Sequence, residues 1–145
     1  MILLKKRRKL PLRAEDIMTQ PPITTKLNTK IVEAAKTMIE KRIGSLLVVD
    51  DEGKLRGIIT ERDIVFATSQ GWDPTQREVW EVMSENPITV TPDTDIVKVI
   101  EKMRTMDVRH MPVVDDEGKP VGVIASRDVL DTVLTLTELL LVRRE

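Results

Sequence analysis

Apolar and polar positions along this chain follow two alternating rhythms, and the whole order of rhythms occurs twice. Ile31, Ala34, Ala35 and Met38 recur at the spacing of one helix face, as do Ile96, Val99, Ile100 and Met103. Each helical stretch leads into a short apolar run, "SLLVVD" at 45–50 or "HMPVVD" at 110–115, which predicts strands buried on both faces. A "DEG" turn then passes into "LRGIIT" or "PVGVIA", so the chain doubles back as an antiparallel hairpin whose glycine supplies positive φ. Ahead of each helix a proline-led "PIT" predicts a brief strand, and Asn28 with Thr29, or Asp93 with Thr94, offers capping oxygens. A last helix opens at "ERDIV" or "SRDVL". Each half therefore reads strand, helix, strand, strand, helix.

"VVDDEGK" at Val48–Lys54 returns at Val113–Lys119, and the same offset of 65 aligns Met18 with Met83, Gly57 with Gly122 and Asp63 with Asp128 without a gap. This period exceeds the roughly 20–50 residues of solenoid units, and two copies are fewer than such arrays need. The pattern predicts an α/β (α+β) fold in which two tandem repeats pack as a pseudo-two-fold pair and complete one core. The divisions expected are a basic tail over 1–13, a first repeat over 14–70, a linker with a short helix over 71–80, a second repeat over 81–134, and an extension of the last helix over 135–145. In the linker, "DPT" predicts a helix start, and Trp72 and Trp80 are expected to plug the seam between the lobes.

Composition narrows the chemistry. The 145 residues carry a formal net charge of -1, 41% are hydrophobic and 32% charged, which describes a globular chain with little global attraction for nucleic acid. No cysteine is present and His110 is the one histidine, so thiol chemistry and a multi-histidine metal site are excluded. Neither a Ser/His/Asp grammar nor a cluster of acids at ligand spacing occurs, so no catalytic residue and no metal ligand is expected. The acids of "DDEG" are expected to be solvated turn residues. Nothing resembles a membrane span or a secretory signal, and the cytoplasm is the expected location.

"GIITERD" at Gly57–Asp63 and "GVIASRD" at Gly122–Asp128, each closing a copy of strand, helix, hairpin and helix, resemble the motif of a CBS-domain pair, or Bateman module. The likeness covers roughly Ala14 to Val133. It implies a non-catalytic sensor that binds AMP, ADP or ATP, with S-adenosylmethionine-type compounds less favoured, in clefts between the repeats. The resemblance implies regulation of a fused enzyme, kinase or channel; here the pair fills the chain, so no effector domain is expected. The residues suit that chemistry by themselves. Thr60 stands just before a helix amino terminus, where amides and the macrodipole favour anions, and Asp63 can accept hydrogen bonds from both ribose hydroxyls. From spacing alone, the pair reads equally as a plain helix cap.

The family's crossed arrangement, applied here, implies two clefts. In the Thr60 cleft, expected to be the primary one, Thr60, Arg62 and Asp63 face Ile88, Thr89 and Val90 and the run Val108, Arg109, His110, Met111 and Pro112. In the Asp128 cleft, Ala125, Ser126, Arg127 and Asp128 face Ile23, Thr24 and Thr25 and the run Gly44, Ser45 and Leu46. There Ala125 replaces the hydroxyl, and Gly44 with Ser45 replace the Arg109–His110 pair, so a weaker grip on phosphate is expected. With Phe66 the one phenylalanine and no tyrosine, an adenine would lie between aliphatic side chains.

Two other readings compete. "KKRRK" at Lys5–Lys9 is a nonspecific nucleic-acid signal, disfavoured because no stacking aromatics accompany it. Val129, Leu130, Val133, Leu134, Leu136, Leu139 and Leu140 leave the last helix more apolar than water tolerates, which predicts a homodimer and, without a ligand, a pure interaction scaffold. The regulated partner is not named by any residue pattern.

Overall fold

The hairpins form where the repeated words lie, because each first acid is the acceptor of its own turn. Asp50 Oδ1 accepts the amides of Glu52 and Lys54 at 2.9 and 3.0 Å, and Asp115 Oδ1 accepts those of Glu117 and Lys119, both at 2.9 Å. Gly53 and Gly118 take φ of 83° and 77°, the left-handed region that a side chain resists. In the computed structural model, which describes residues 12–142, the Lys5–Lys9 run lies outside the described residues.

The elements follow the predicted order with one strand lost and two short elements added. Helix α1 covers Ala14–Ile17, β1 Thr24–Lys26, α2 Ile31–Lys41, β2 Ser45–Val49, β3 Leu55–Thr60 and α3 Glu61–Ser69. After a 3-10 turn at Val79–Glu81 come β4 Ser84–Glu85, α4 Ile96–Thr105, β5 His110–Val114, β6 Pro120–Ala125 and α5 Ser126–Val142. The first repeat builds a sheet of order β1-β2-β3-β4, parallel at β1-β2 and antiparallel thereafter. The second builds the β5-β6 hairpin alone.

The strand expected at "PIT" of the second repeat does not form, and proline explains its loss. In the first repeat the Leu47 amide donates to the Ile23 carbonyl at 3.3 Å and begins the parallel ladder. Pro112 occupies the equivalent place in β5 and has no amide to donate. What remains is a single parallel bridge, Val90 to Val113.

Each repeat's lead-in packs on the other repeat. The segment before β1 crosses to the second lobe: Thr19 exchanges backbone hydrogen bonds with Val123 of β6, and Ala14 is fully buried among Val99, Met103, Met111, Val113 and Ile124. Reciprocally, Val79 enters a core of Ala34, Met38, Leu46, Val48 and Ile59, and β4 pairs with β3. There are thus two cores, each finished by the other repeat's lead-in, where one shared core was expected. At each crossing a methionine lies on a glycine. A Cβ on Gly57 would collide with the Met83 side chain, and one on Gly122 with that of Met18.

Other expectations give way to the crossing. Neither Asn28 and Thr29 nor Asp93 and Thr94 cap a helix, because α2 and α4 begin later, after Lys30 and Asp95. Their first amides go to backbone instead: Ile31 and Val32 donate to Arg77 and Pro74 carbonyls, and Ile96 to Leu12. "DPT" is a turn closed by Asp73 Oδ1 on the Thr75 amide and hydroxyl, at 2.9 and 2.7 Å. Trp80 remains 52% exposed and plugs no seam. Trp72, half-buried, lies edge-on to Phe66 with the Arg77 guanidinium 4.3 Å above its ring.

Gly122→Ala is expected to destabilise the protein by roughly 1–3 kcal/mol in urea unfolding, since the new methyl must displace a packed methionine. Adding Met18→Ala should recover part of that loss; a strictly additive double variant would refute the contact's role.

Candidate functional site

The crossing of the lead-ins leaves two clefts at the seam, related by the same offset of 65. The larger, about 750 Å³, runs between Met38, Ile39, Ile64 and Val65 of the first repeat and Val123, Ala125, Ser126, Arg127 and Asp128 of the second. The smaller, about 680 Å³, lies between Thr60 and Arg62 on one side and Pro87, Ile88 and Val108 on the other. Gly44, Glu61, Val65, Arg109 and His110 border both.

Of the residues expected in the Thr60 cleft, Thr60, Arg62, Ile88, Val108, Arg109 and His110 line it. Asp63, Thr89, Val90, Met111 and Pro112 do not. Val90, Met111 and Pro112 are buried in the second lobe's core, where β5 is covered on both faces, so their side chains have nothing to offer a ligand. In the Asp128 cleft, Ile23, Gly44, Ser45, Ala125, Ser126, Arg127 and Asp128 line the wall, whereas Thr24, Thr25 and Leu46 do not. Leu46 belongs to the first lobe's core for the same reason, and Thr24 and Thr25 lie along β1 away from the cavity lining.

The capping role of both motif aspartates is visible in the geometry. Asp63 Oδ2 accepts the Thr60 amide at 2.8 Å and its hydroxyl at 3.3 Å, and Asp128 Oδ2 accepts the Ala125 amide at 2.8 Å. Burial pushes the Asp63 carboxyl above the usual range, an effect that the Thr60 hydrogen bonds and the Arg62 charge partly offset. Asp128 presents the same cap but stands in a cavity wall, with Oδ1 unpartnered among the described residues. The first amides of the two helices are also spent: Glu61 donates to the Gly44 carbonyl at 3.1 Å and Ser126 to that of Arg109 at 2.9 Å. A phosphate at either helix tip would therefore rely on side-chain cations more than on those amides.

The two clefts differ in the charge of their linings. Arg42, Arg109 and Arg127 line the Asp128 cleft against Glu61 and Asp128. Arg62 and Arg109 line the Thr60 cleft against Glu61 and Asp107. Arg42, Glu61, Val65 and Asp107 were missed from sequence: Glu61 and Val65 lie within "ERDIV" but read there as ordinary helix residues, and Arg42 and Asp107 lie outside the quoted runs. Arg42 and Asp107 occupy equivalent positions just past a helix, at φ of 56° and 51°, and that backbone turn aims them at the seam. Their offset of 65 was the one signal available.

His110 is half-buried and, with its Nε2 and Glu61 Oε1, closes over Gly44. Burial lowers its pKa below the ordinary histidine value; Arg109 and Arg127 act in the same sense, and Glu61 and Asp128 oppose it. Among the described residues no group of three or more potential metal ligands is gathered, and no helix is long and apolar enough to cross a membrane.

The CBS domain family model matches residues 14–69 and 79–135. This chain belongs to the CBS domain family. The CBS pair of protein MJ0100, solved with 5'-methylthioadenosine and S-adenosyl-L-methionine, is 38% identical with a TM-score of 0.78, covering 83% of this chain and 94% of that one. The CBS domain protein PAE2072 from Pyrobaculum aerophilum, solved with AMP, is 32% identical with a TM-score of 0.74, covering 81% and 89%. L-aspartate semialdehyde sulfurtransferase of Methanocaldococcus jannaschii is 40% identical over 79% of this chain, which spans 22% of that enzyme's length. CBS pairs are in general regulatory and non-catalytic, and this enzyme-named relative matches over only a fraction of its own length.

The depressed His110 pKa carries a sign. The unfolded chain takes up the proton more readily, so stability rises with pH; the contribution is complete above the ordinary value of 6.5 and is lost as pH falls below it. Thermal melts at about pH 7.5 and about pH 5.5 should show a larger loss for the wild type than for His110→Gln, and an equal loss would contradict the burial.

Proposed function

We propose that this CBS pair is a regulatory sensor that binds an adenine nucleotide, of the AMP, ADP or ATP type, at the seam of its two repeats. The observation that carries the reading is the Asp128 cleft, where the first repeat brings the aliphatic side chains of Met38, Ile39, Ile64 and Val65 together with Arg42 and Glu61, and the second brings Arg109, Arg127 and Asp128. A base fits between Met38, Ile39, Ile64 and Val65; a ribose meets Asp128 Oδ1; a phosphate meets Arg42, Arg109 and Arg127. The AMP and adenosyl complexes of the related CBS structures support the ligand class.

A ligand that touches both repeats favours whichever lobe arrangement closes its walls, and that differential affinity is the whole of the switch. The regulated protein reads the arrangement, and no chemistry is required. The Thr60 cleft is the lesser anion site in this proposal, because Asp107 stands where Arg42 stands in the other.

A second reading, an assembly module, is favoured by one observation. Leu130, Leu134, Leu139, Leu140 and Leu141 of α5 are each more than half exposed, an apolar surface that a second chain would cover. Sedimentation velocity of the wild type against Leu134→Glu tests it: a dimer that the charge dissociates supports this reading, and a monomer in both removes it.

Isothermal titration with AMP, ADP, ATP and S-adenosylmethionine tests the sensor. Asp128→Ala is expected to cost roughly 1–3 kcal/mol of nucleotide binding through lost ribose hydrogen bonds. Unchanged affinity in that variant would move the site elsewhere.

A further inference from the structure

The two clefts are copies by symmetry but not by charge, and they share a wall. Position 42 and its mate 107 turn towards the seam in the same left-handed conformation, yet one is arginine and the other aspartate. Position 44 is glycine where its mate is Arg109. The single Arg109 guanidinium therefore stands between the cavities, able to serve either, and Glu61 faces both from the opposite lobe.

We propose, building on the adenosyl-binding reading above, that the clefts sort ligands by charge: the Asp128 cleft takes the anionic nucleotide, and the Thr60 cleft takes an uncharged or cationic adenosyl compound. Arg109 couples the two. A phosphate in the Asp128 cleft sits among Arg42, Arg109 and Arg127 and draws the Arg109 side chain towards it. The Thr60 cleft is then left with Arg62 against Glu61 and Asp107, a wall whose carboxylates outnumber its arginines. A second phosphate meets net repulsion there, moderated by solvent because Glu61, Arg62 and Asp107 are exposed. A nucleoside without a phosphate meets none, and a sulfonium or amine gains from Asp107 and Glu61. Half-burial of His110 keeps its imidazole from supplying the missing positive charge at neutral pH, because burial disfavours the charged ring.

The consequence is a sensor of two metabolites at once, in which binding of two anions is antagonistic and binding of one anion with one neutral or cationic adenosyl compound is not. A differential response of this kind needs no contact between the ligands, since one mobile guanidinium cannot pair fully with both.

Titration calorimetry on the full chain tests the sorting, with AMP, adenosine and S-adenosylmethionine as probes. AMP is expected to fill one cleft, with a second equivalent entering at least about tenfold more weakly. Adenosine or S-adenosylmethionine added to AMP-saturated protein is expected to bind with close to its affinity for the free protein. Asp107→Arg copies the residue that position 42 already accommodates in the same backbone conformation, so it should fold, and it should let a second AMP enter with affinity near the first. Arg42→Asp should erase the preference of the Asp128 cleft for AMP over adenosine. Two AMP molecules filling the wild type with equal affinity, or Asp107→Arg leaving the weak second step unmoved, would overturn the sorting while leaving the sensor intact. Failure of every adenosyl compound to bind would overturn the sensor reading, and the sorting with it.

Discussion

Everything in this molecule is organised around two methionine-on-glycine contacts that tie each repeat to the other's hairpin. The chain entering a repeat has to lie flush against the neighbouring sheet, and only a residue without a side chain leaves room for Met83 over Gly57 or Met18 over Gly122. Because the methionine is flexible and apolar, it fills that gap without a polar group to satisfy. The lead-in belongs to the far core, as Ala14 or Val79, and so each core is completed by a segment that precedes the other repeat. Repeats that are separate along the chain become interdependent in space.

The clefts are the geometric remainder of that exchange. Two sheets held apart by crossed lead-ins meet along a seam where the start of β2 faces the motif of the second repeat, and the start of β5 faces the motif of the first. Symmetry makes two such places, and substitution makes them unlike. Arginine against aspartate at 42 and 107, and glycine against arginine at 44 and 109, change the charge of each wall without changing its backbone. A duplicated fold thereby presents two clefts of different charge from one architecture, linked by residues that border both.

The hairpins, the buried strands and the helix order were legible in the residues because their causes are local. An aspartate that accepts its own turn's amides, a glycine at positive φ and a run of aliphatics need no distant partner to be recognised. The strand at Pro87–Thr89 was not legible, because what abolishes it is a proline on a different strand. Trp80 misled for a related reason: a large aromatic in a linker looks like a plug until the backbone of that linker is seen to do the packing. Of the expected site, Thr60, Arg62, Ala125 to Asp128 and the Arg109–His110 pair reach the seam, but Asp63, Val90, Met111, Pro112 and Leu46 do not. The second hairpin's β5 is covered on both faces, so only the residues at its start, Arg109 and His110, reach a cavity.

By itself, then, the chain of letters determined the duplication, the order of elements, the hairpin turns and the family, since each is carried by spacing within a few residues or by one offset repeated. Tertiary structure decided which lobe each lead-in completes, which cleft holds more positive charge, and which of two aspartates faces a cavity as well as its cap. Those outcomes depend on how far apart two sheets settle and where a left-handed residue turns its side chain. Such quantities arise from packing between segments distant in sequence, and no local pattern encodes them.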